Sequence, residues 1–318
     1  MLPANPGPQA SDARSYLAGV GYGLTLALCG GLYTTFARHG VLRGLSPYDL
    51  TAMRFGVAAI LFAPVLAKTG VRDFGGLGWK RSLALTACAG PIFSLLVFTG
   101  FRFAPLSHGG VIMPAAITLS GILMSAMLFG DRLGPQRWLG LLAIFGGLAV
   151  LGGDAMLHGS GNLMLAGDFM FFLSGACWAG FGVLVRLWHA NPIRASAVIS
   201  LLSTVIFLPF YFAFADLGGW ARAGSGEIVL QLLVQGVLAG AGNLITYAKA
   251  VEILGPGRAA LFPSLVPALS VLIAIPLLAE IPNTLQWTGL VVISAGLALS
   301  VVQPSLLRWP SRPVKRTP

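Results

Sequence analysis

Ten runs of predominantly apolar residues succeed one another along the chain, at 16–37, 47–67, 82–103, 107–129, 134–153, 166–187, 194–215, 227–250, 258–279 and 284–303. Each has about the 20 residues that a helix needs to cross the hydrocarbon core of a bilayer. Short joints rich in charge, glycine and proline separate them, among them "KTGVRDFGGLGWKR", "GDRLGPQR" and "EIPN". The pattern predicts an all-α membrane protein of ten transmembrane helices. The chain carries 42 glycines, many of them inside the runs. Small residues let helix backbones approach in lipid, where no hydrophobic drive brings helices together, so the expected assembly is one tightly packed bundle.

The second half repeats the first. "MPAAITLSGILMSAMLFGD" and "FPSLVPALSVLIAIPLLAE" are related by an offset of 149, which also superimposes Trp138 on Trp287, Gly140 on Gly289, Ile144 on Ile293 and Gly147 on Gly296. At an offset of 148, Gly19 meets Gly167 and Arg38 meets Arg186. Equivalent positions lie five spans apart. Five is odd, so the copies are expected to cross the membrane in opposite directions, the inverted-repeat plan of many secondary transporters. The expected layout is an N-terminal tail (1–15), a first five-helix repeat (16–153), a linker (154–165), a second repeat (166–303) and a basic C-terminal tail (304–318).

Composition agrees with the pattern. Of all residues 56% are hydrophobic and only 9% charged, with mean hydropathy +0.83, against about 25% charged in soluble domains. The net charge of +10 does not indicate nucleic acid, because no basic stripe has interleaved aromatics. With ten spans, fifteen of the twenty Lys and Arg fall on the side of the two termini and four on the other, with Arg54 inside a span. Basic loops mark the cytoplasmic side, so both termini are expected in the cytoplasm of a cell (inner) membrane protein. The three cysteines stand singly in apolar runs and form no metal or redox motif. The N-terminus lacks a basic start and short apolar core, so the first run is expected to be a retained helix.

On these residues the sequence resembles the EamA family of the drug/metabolite transporter superfamily. The half-repeats at about 19–153 and 167–302 carry the likeness. "PALSVLIAIPLLAE" places Pro267 thirteen residues before Glu280; in the first half Thr118 holds that place and the proline is Pro114. "LSGACWAGFGVLVR" looks like the family's sixth helix, and "SPYDLTAMRFGVAAILF" like its second, with Arg54 at a common arginine position. The resemblance implies ten helices around a central cavity open to one side at a time. It also implies secondary transport of amino acids, nucleosides, other metabolites or toxic organic compounds, with export the expected direction.

Arg54, about 10 Å into its helix, is the sharpest single signal, since an arginine there costs on the order of 2.5–3.5 kcal/mol to insert. It reads either as a counter-charge for a substrate carboxylate or nearby acid, or as an arginine bonded to helix-end carbonyls; its recurrence in the family favours the structural reading. Gln235, Asn243 and Tyr247 fall four or eight apart and suit either a cavity wall or an interhelical seam. Trp178 offers an aromatic face. Pro114 and Pro267 free backbone carbonyls and are hinge candidates. His108 heads the fourth helix and reads either as a titrating gate near neutral pH or as a solvated loop histidine, the second being favoured. No acid stands out at mid-membrane, so proton coupling is not legible in the residues and stands as an open alternative beside a facilitator or exchanger. Neither cofactor nor metal is expected. A passive channel or facilitator is the runner-up to a transporter, and an intramembrane enzyme is disfavoured because its acid, histidine or metal clusters are missing. The expected partners are a small-molecule substrate and the lipid bilayer, with no nucleic acid, the protein being a monomer or homodimer.

Overall fold

The computed structural model describes residues 8–70, 73–131, 134–158, 162–214, 218–254, 256–259 and 261–301, and among these no strand occurs. Ten helices carry the fold: α1 Pro8–Leu42, α2 Pro47–Thr69, α3 Trp79–Phe103, α4 Leu106–Phe129, α5 Pro135–His158, α6 Asn162–Leu187, α7 Pro192–Phe214, α8 Gly218–Leu254, α9 Phe262–Leu278 and α10 Thr284–Val301. Among the described residues the first eight contain spans long and apolar enough to cross a membrane, and α9 and α10 are shorter apolar helices. Ten crossings put the two ends of the bundle on one face, here the terminal face; the other is the distal face. The tail at 304–318 lies outside the described residues, as do Arg72, Arg132 and Gly255 of the joints.

Helix bounds differ from the sequence pattern at several ends. Helix α1 begins at Pro8, inside the expected tail, α5 runs on past Asp154 to His158, α6 begins at Asn162 and α8 at Gly218. Asp154, which looks like a helix stop, is buried and hydrogen-bonded inside the bundle. Of the expected linker at 154–165, residues 154–158 lie in α5 and 162–165 in α6, and 159–161 lie outside the described residues. Helix α8 is not straight. Gly224 has φ 80 and breaks the first turns, and Leu232–Gly242 is wound as a π-helix. Helix α3 is interrupted at Gly90, where Pro91 starts a second segment, Pro91–Phe103.

The inversion is built into the packing of α5 on α10. A Cβ on Gly140 would stand 2.8 Å from the Gly296 carbonyl oxygen, and one on Gly296 would stand 2.8 Å from that of Gly140. A Cβ on Gly147 would meet Ile293 at 2.4 Å and the Gly289 carbonyl at 3.1 Å. The contacts run antiparallel. Exchanging Gly140 with Gly289 and Gly147 with Gly296, the pairs matched by the sequence repeat, turns one contact into the other. Gly296→Ala is therefore expected to overpack this seam and cost about 1–3 kcal/mol. Gly152→Ala, where a Cβ would meet nothing within 4 Å, should leave stability unchanged; thermal unfolding of both variants in one detergent checks the contrast.

Two ion pairs repeat the same exchange. Arg38 of α1 donates from Nε to Glu280, just past α9, at 2.8 Å. Arg186 of α6 donates to Asp131, just past α4, at 2.7 Å. The repeat matches Arg38 with Arg186 and Glu280 with Asp131, so each arginine pairs with the acid of the other repeat. The pairs differ in setting. The Arg186 and Asp131 side chains are 53% and 34% exposed, those of Arg38 and Glu280 15% and 22%. Hydrogen bonding from Arg186 holds the Asp131 carboxyl below its ordinary value. That pair is present at neutral pH and is lost only as pH falls through the lowered value.

At the distal face, helix caps double as ties between helices. Ser46 and Asp49 form a capping box on α2 behind Pro47. Buried Asp49 also accepts from the Tyr211 hydroxyl at 2.6 Å and from the Trp220 indole at 3.0 Å. Asn283 and Gln286 cap α10 in the same reciprocal way.

Candidate functional site

Arg54 lies two turns into α2 and is 7% exposed. Its Nη1 donates to the Tyr33 hydroxyl at 2.7 Å, and its guanidinium sits 5.0 Å from the Tyr33 ring centroid, 5.4 Å from that of Phe93 and 5.9 Å from that of Phe55. No carboxylate pairs with it among the described residues, and no helix-end carbonyl takes its N–H groups. The cation is therefore held by aromatic faces from α1, α2 and α3, each such contact worth about 0.5–2 kcal/mol. Trp178 of α6 packs on Phe93 with centroids 4.9 Å apart. The fold thus brings Arg54 and Trp178 of the expected set to one cluster, with Phe93 between them.

Beside the cluster α3 is broken. Gly90 (φ −91, ψ −144) leaves the helix, and Pro91 restarts it three residues before Ser94. A Cβ on Gly90 would stand 2.3 Å from the Thr86 carbonyl and 2.9 Å from Ser203 Oγ, which is why glycine is required at this close approach. The Oγ atoms of Ser94 and Ser203 are buried and have no hydrogen-bond partner. A half-helix N-terminus carries partial positive charge and free N–H groups, so cation, half-helix and hydroxyls all favour a small anionic group.

Helix α8 supplies a polar file. Gln231 donates to Glu227 at 2.8 Å and to the Phe36 carbonyl at 2.7 Å, Gln235 donates to Gln231 Oε1 at 3.0 Å, and His39 Nδ1 lies 3.1 Å from Glu227. The Oε1 of Gln235 and the Oδ1 of Asn243 are buried without a partner. Tyr247 is 40% exposed and lies, with Asn243, in the α-wound part of α8 that follows the π-helical stretch. Pro114 lies inside the continuous α4, and Pro267 opens the α-helical part of α9 after a 3₁₀ turn at Phe262–Leu265.

The expected solvated position of His108 is corrected. His108 is fully buried in the first turn of α4. Its Nδ1 lies 2.9 and 3.0 Å from the two carboxylate oxygens of Asp168 in α6, and its Nε2 lies 3.2 Å from Asp154 of α5. Asp154 also accepts from Asn283 at 2.7 Å and Gln286 at 2.8 Å, and Ser107 donates to Gln286 at 2.9 Å. Acids therefore do lie within the spans. Sequence reading missed them because Asp154 sat at an apparent helix end and Asp168 at an apparent helix start. The available signal was Gly109–Gly110 directly after the histidine. Cβ atoms there would meet Phe101 and Phe171 at 2.5 and 2.6 Å and Ser270 at 2.5 Å, so this turn of α4 is pressed into the bundle.

An inverted-repeat helical bundle in a membrane, with a buried cation and unpartnered polar atoms inside it, has the build of a secondary transporter. The comparisons agree. Residues 17–153 and 165–302 each match the EamA-like transporter family, and the chain belongs to that family, within the drug/metabolite transporter superfamily. A curated relative, the uncharacterized transporter YyaM of Bacillus subtilis (strain 168), is 24% identical over 242 residues, covering 72% of this chain and 76% of its own. A solved structure described only as the crystal structure of a protein shares the fold with a TM-score of 0.60 at 19% identity, over 89% of this chain and 96% of the other. These likenesses point to transport rather than catalysis.

Proposed function

We propose that this protein is a secondary transporter of small organic metabolites bearing a carboxylate, amino acids foremost, working by alternating access between its two repeats and exporting across the cell membrane. One observation carries the reading: Arg54 is buried among aromatic rings and, among the described residues, has no acid beside it. A charge kept at that cost is expected to meet its counter-charge on a transported molecule. The restart of α3 at Pro91 and the unpartnered Ser94 and Ser203 hydroxyls suit the carboxylate. Phe93 and Trp178 suit an apolar or aromatic remainder. Gln235 and Asn243 are proposed as further polar contacts, Tyr247 as an entrance residue, and Pro114 and Pro267 as hinges of the equivalent helices α4 and α9.

The test is a thermal-shift comparison of matched pairs on the purified protein: amino acids against their amides, with nucleosides and aromatic cations alongside. A ligand at about 100 times its dissociation constant adds about 2.7 kcal/mol of stability. The proposal expects stabilisation by carboxylates and none by their amides. Equal stabilisation by both, or by cations alone, would move the substrate class elsewhere.

A further inference from the structure

We propose that His108, Asp154 and Asp168 form a proton-binding site that latches the distal face of the transporter. The proposal rests on the transporter reading and adds to it the site at which a proton would act.

The argument is a count of hydrogens. Both nitrogens of one imidazole face carboxylates, Nδ1 towards Asp168 and Nε2 towards Asp154. A neutral imidazole carries one N–H. With both acids ionised, one ring nitrogen then presents its lone pair to a carboxylate oxygen about 3 Å away, inside a bundle with little water to screen the repulsion. One further proton, on the ring or on either acid, turns both contacts into hydrogen bonds. The distances shown fit the proton-loaded cluster. Gln286 Nε2 gives one N–H to Asp154 at 2.8 Å, and its second reaches His108 Nε2 only at 3.4 Å, a long contact that eases the repulsion without replacing the bond a proton supplies.

The position gives the proton leverage. His108 belongs to the first repeat and Asp154 to the extension of its last helix, α5, while Asp168, Asn283 and Gln286 belong to the second. The cluster joins α4, α5, α6 and the cap of α10, so opening the distal face must separate them. None of the three titratable residues is repeated at its counterpart in the other half, unlike the paired arginines and acids of the scaffold. Among the described residues the charged groups adjoining it include Glu280 and Arg38, from the end of α9 and from α1; Glu280 also accepts from the Leu106 backbone N–H at 2.8 Å, two residues before His108. The Asp168 side chain is 12% exposed, against none for His108 and Asp154, which gives the proton its way in. Loss of that proton is expected to part the halves here, and its return to close them.

Hydrogen–deuterium exchange of the full-length protein in nanodiscs, between about pH 6 and about pH 9 and corrected for intrinsic rates, tests this without any substrate. Exchange in segments 106–112 and 284–290 is expected to rise with pH by up to about tenfold per unit, the slope of one linked proton. His108→Gln and Asp168→Asn should each flatten that rise, and His189→Gln, at an exposed histidine, should keep it. No rise in the wild type, or an unchanged rise in both cluster variants, overturns the proposal. Should either variant misfold, nitrogen-15 histidine spectra of the wild type decide, the four histidines being assigned through the other three. His108 must titrate with the midpoint of the exchange change; the same midpoint at His39 beside Glu227 refutes the site. Failure here leaves substrate binding at Arg54 untouched, whereas failure of the carboxylate comparison does not alter this titration.

Discussion

Arg54→Gln is expected to abolish carboxylate-dependent stabilisation and flux while leaving the bundle folded. The two effects separate because the arginine's protein contacts are modest. It gives up one hydrogen bond to Tyr33 and cation–π contacts with Tyr33, Phe93 and Phe55, but the variant also escapes the cost of keeping a charge out of water, so stability should change by less than about 1–2 kcal/mol. Binding loses a charge-assisted hydrogen bond of about 1.5–3 kcal/mol, which weakens affinity about tenfold to hundredfold. Arg54→Lys keeps the charge without the planar fork and should fall between. Isothermal titration with the best carboxylate from the thermal screen reads the affinities. Wild-type affinity in Arg54→Gln would assign the residue to packing alone.

Glu280→Ala is expected to destabilise the protein by about 3 kcal/mol. Its carboxylate has two duties on the distal face: it pairs with Arg38 and accepts the first free N–H of α4 from Leu106. Arg38 in turn donates to the Phe101 carbonyl. Removing the acid leaves a largely buried guanidinium without its counter-charge and uncaps α4. The counterpart substitution Asp131→Ala breaks a pair largely open to solvent, and such pairs contribute little; its effect should be too small to resolve. A symmetric sequence thus predicts an asymmetric response. Thermal unfolding of the two single variants and of Arg38→Ala with Glu280→Ala together checks it, the double variant recovering part of the loss.

The bundle was legible because its causes are local and repeated. Apolar run length, joint chemistry and the 149-residue repeat are properties of the sequence itself, and Gly140, Gly147, Gly289 and Gly296 mark the very seam on which α5 and α10 meet. The interior chemistry was less legible because it is assembled from distant segments. Arg54 was readable as a charge inside a span, but its aromatic neighbours come from α1 and α3. His108, Asp154 and Asp168 each stood beside an apparent helix end, and polar residues at ends look solvated until three ends converge on one point. The π winding of the glycine-rich stretch from Leu232 to Gly242 was not legible either, because a spacing pattern read from sequence assumes α winding.

The most direct test of the whole account is uptake of carbon-14 amino acids into proteoliposomes holding the purified protein, with and without unlabelled amino acid inside. The account predicts flux that saturates with concentration, accelerates when the same compound is present on the opposite side, and disappears in Arg54→Gln. Flux that rises linearly with concentration and ignores the opposite side, or that persists unchanged in Arg54→Gln, would contradict it.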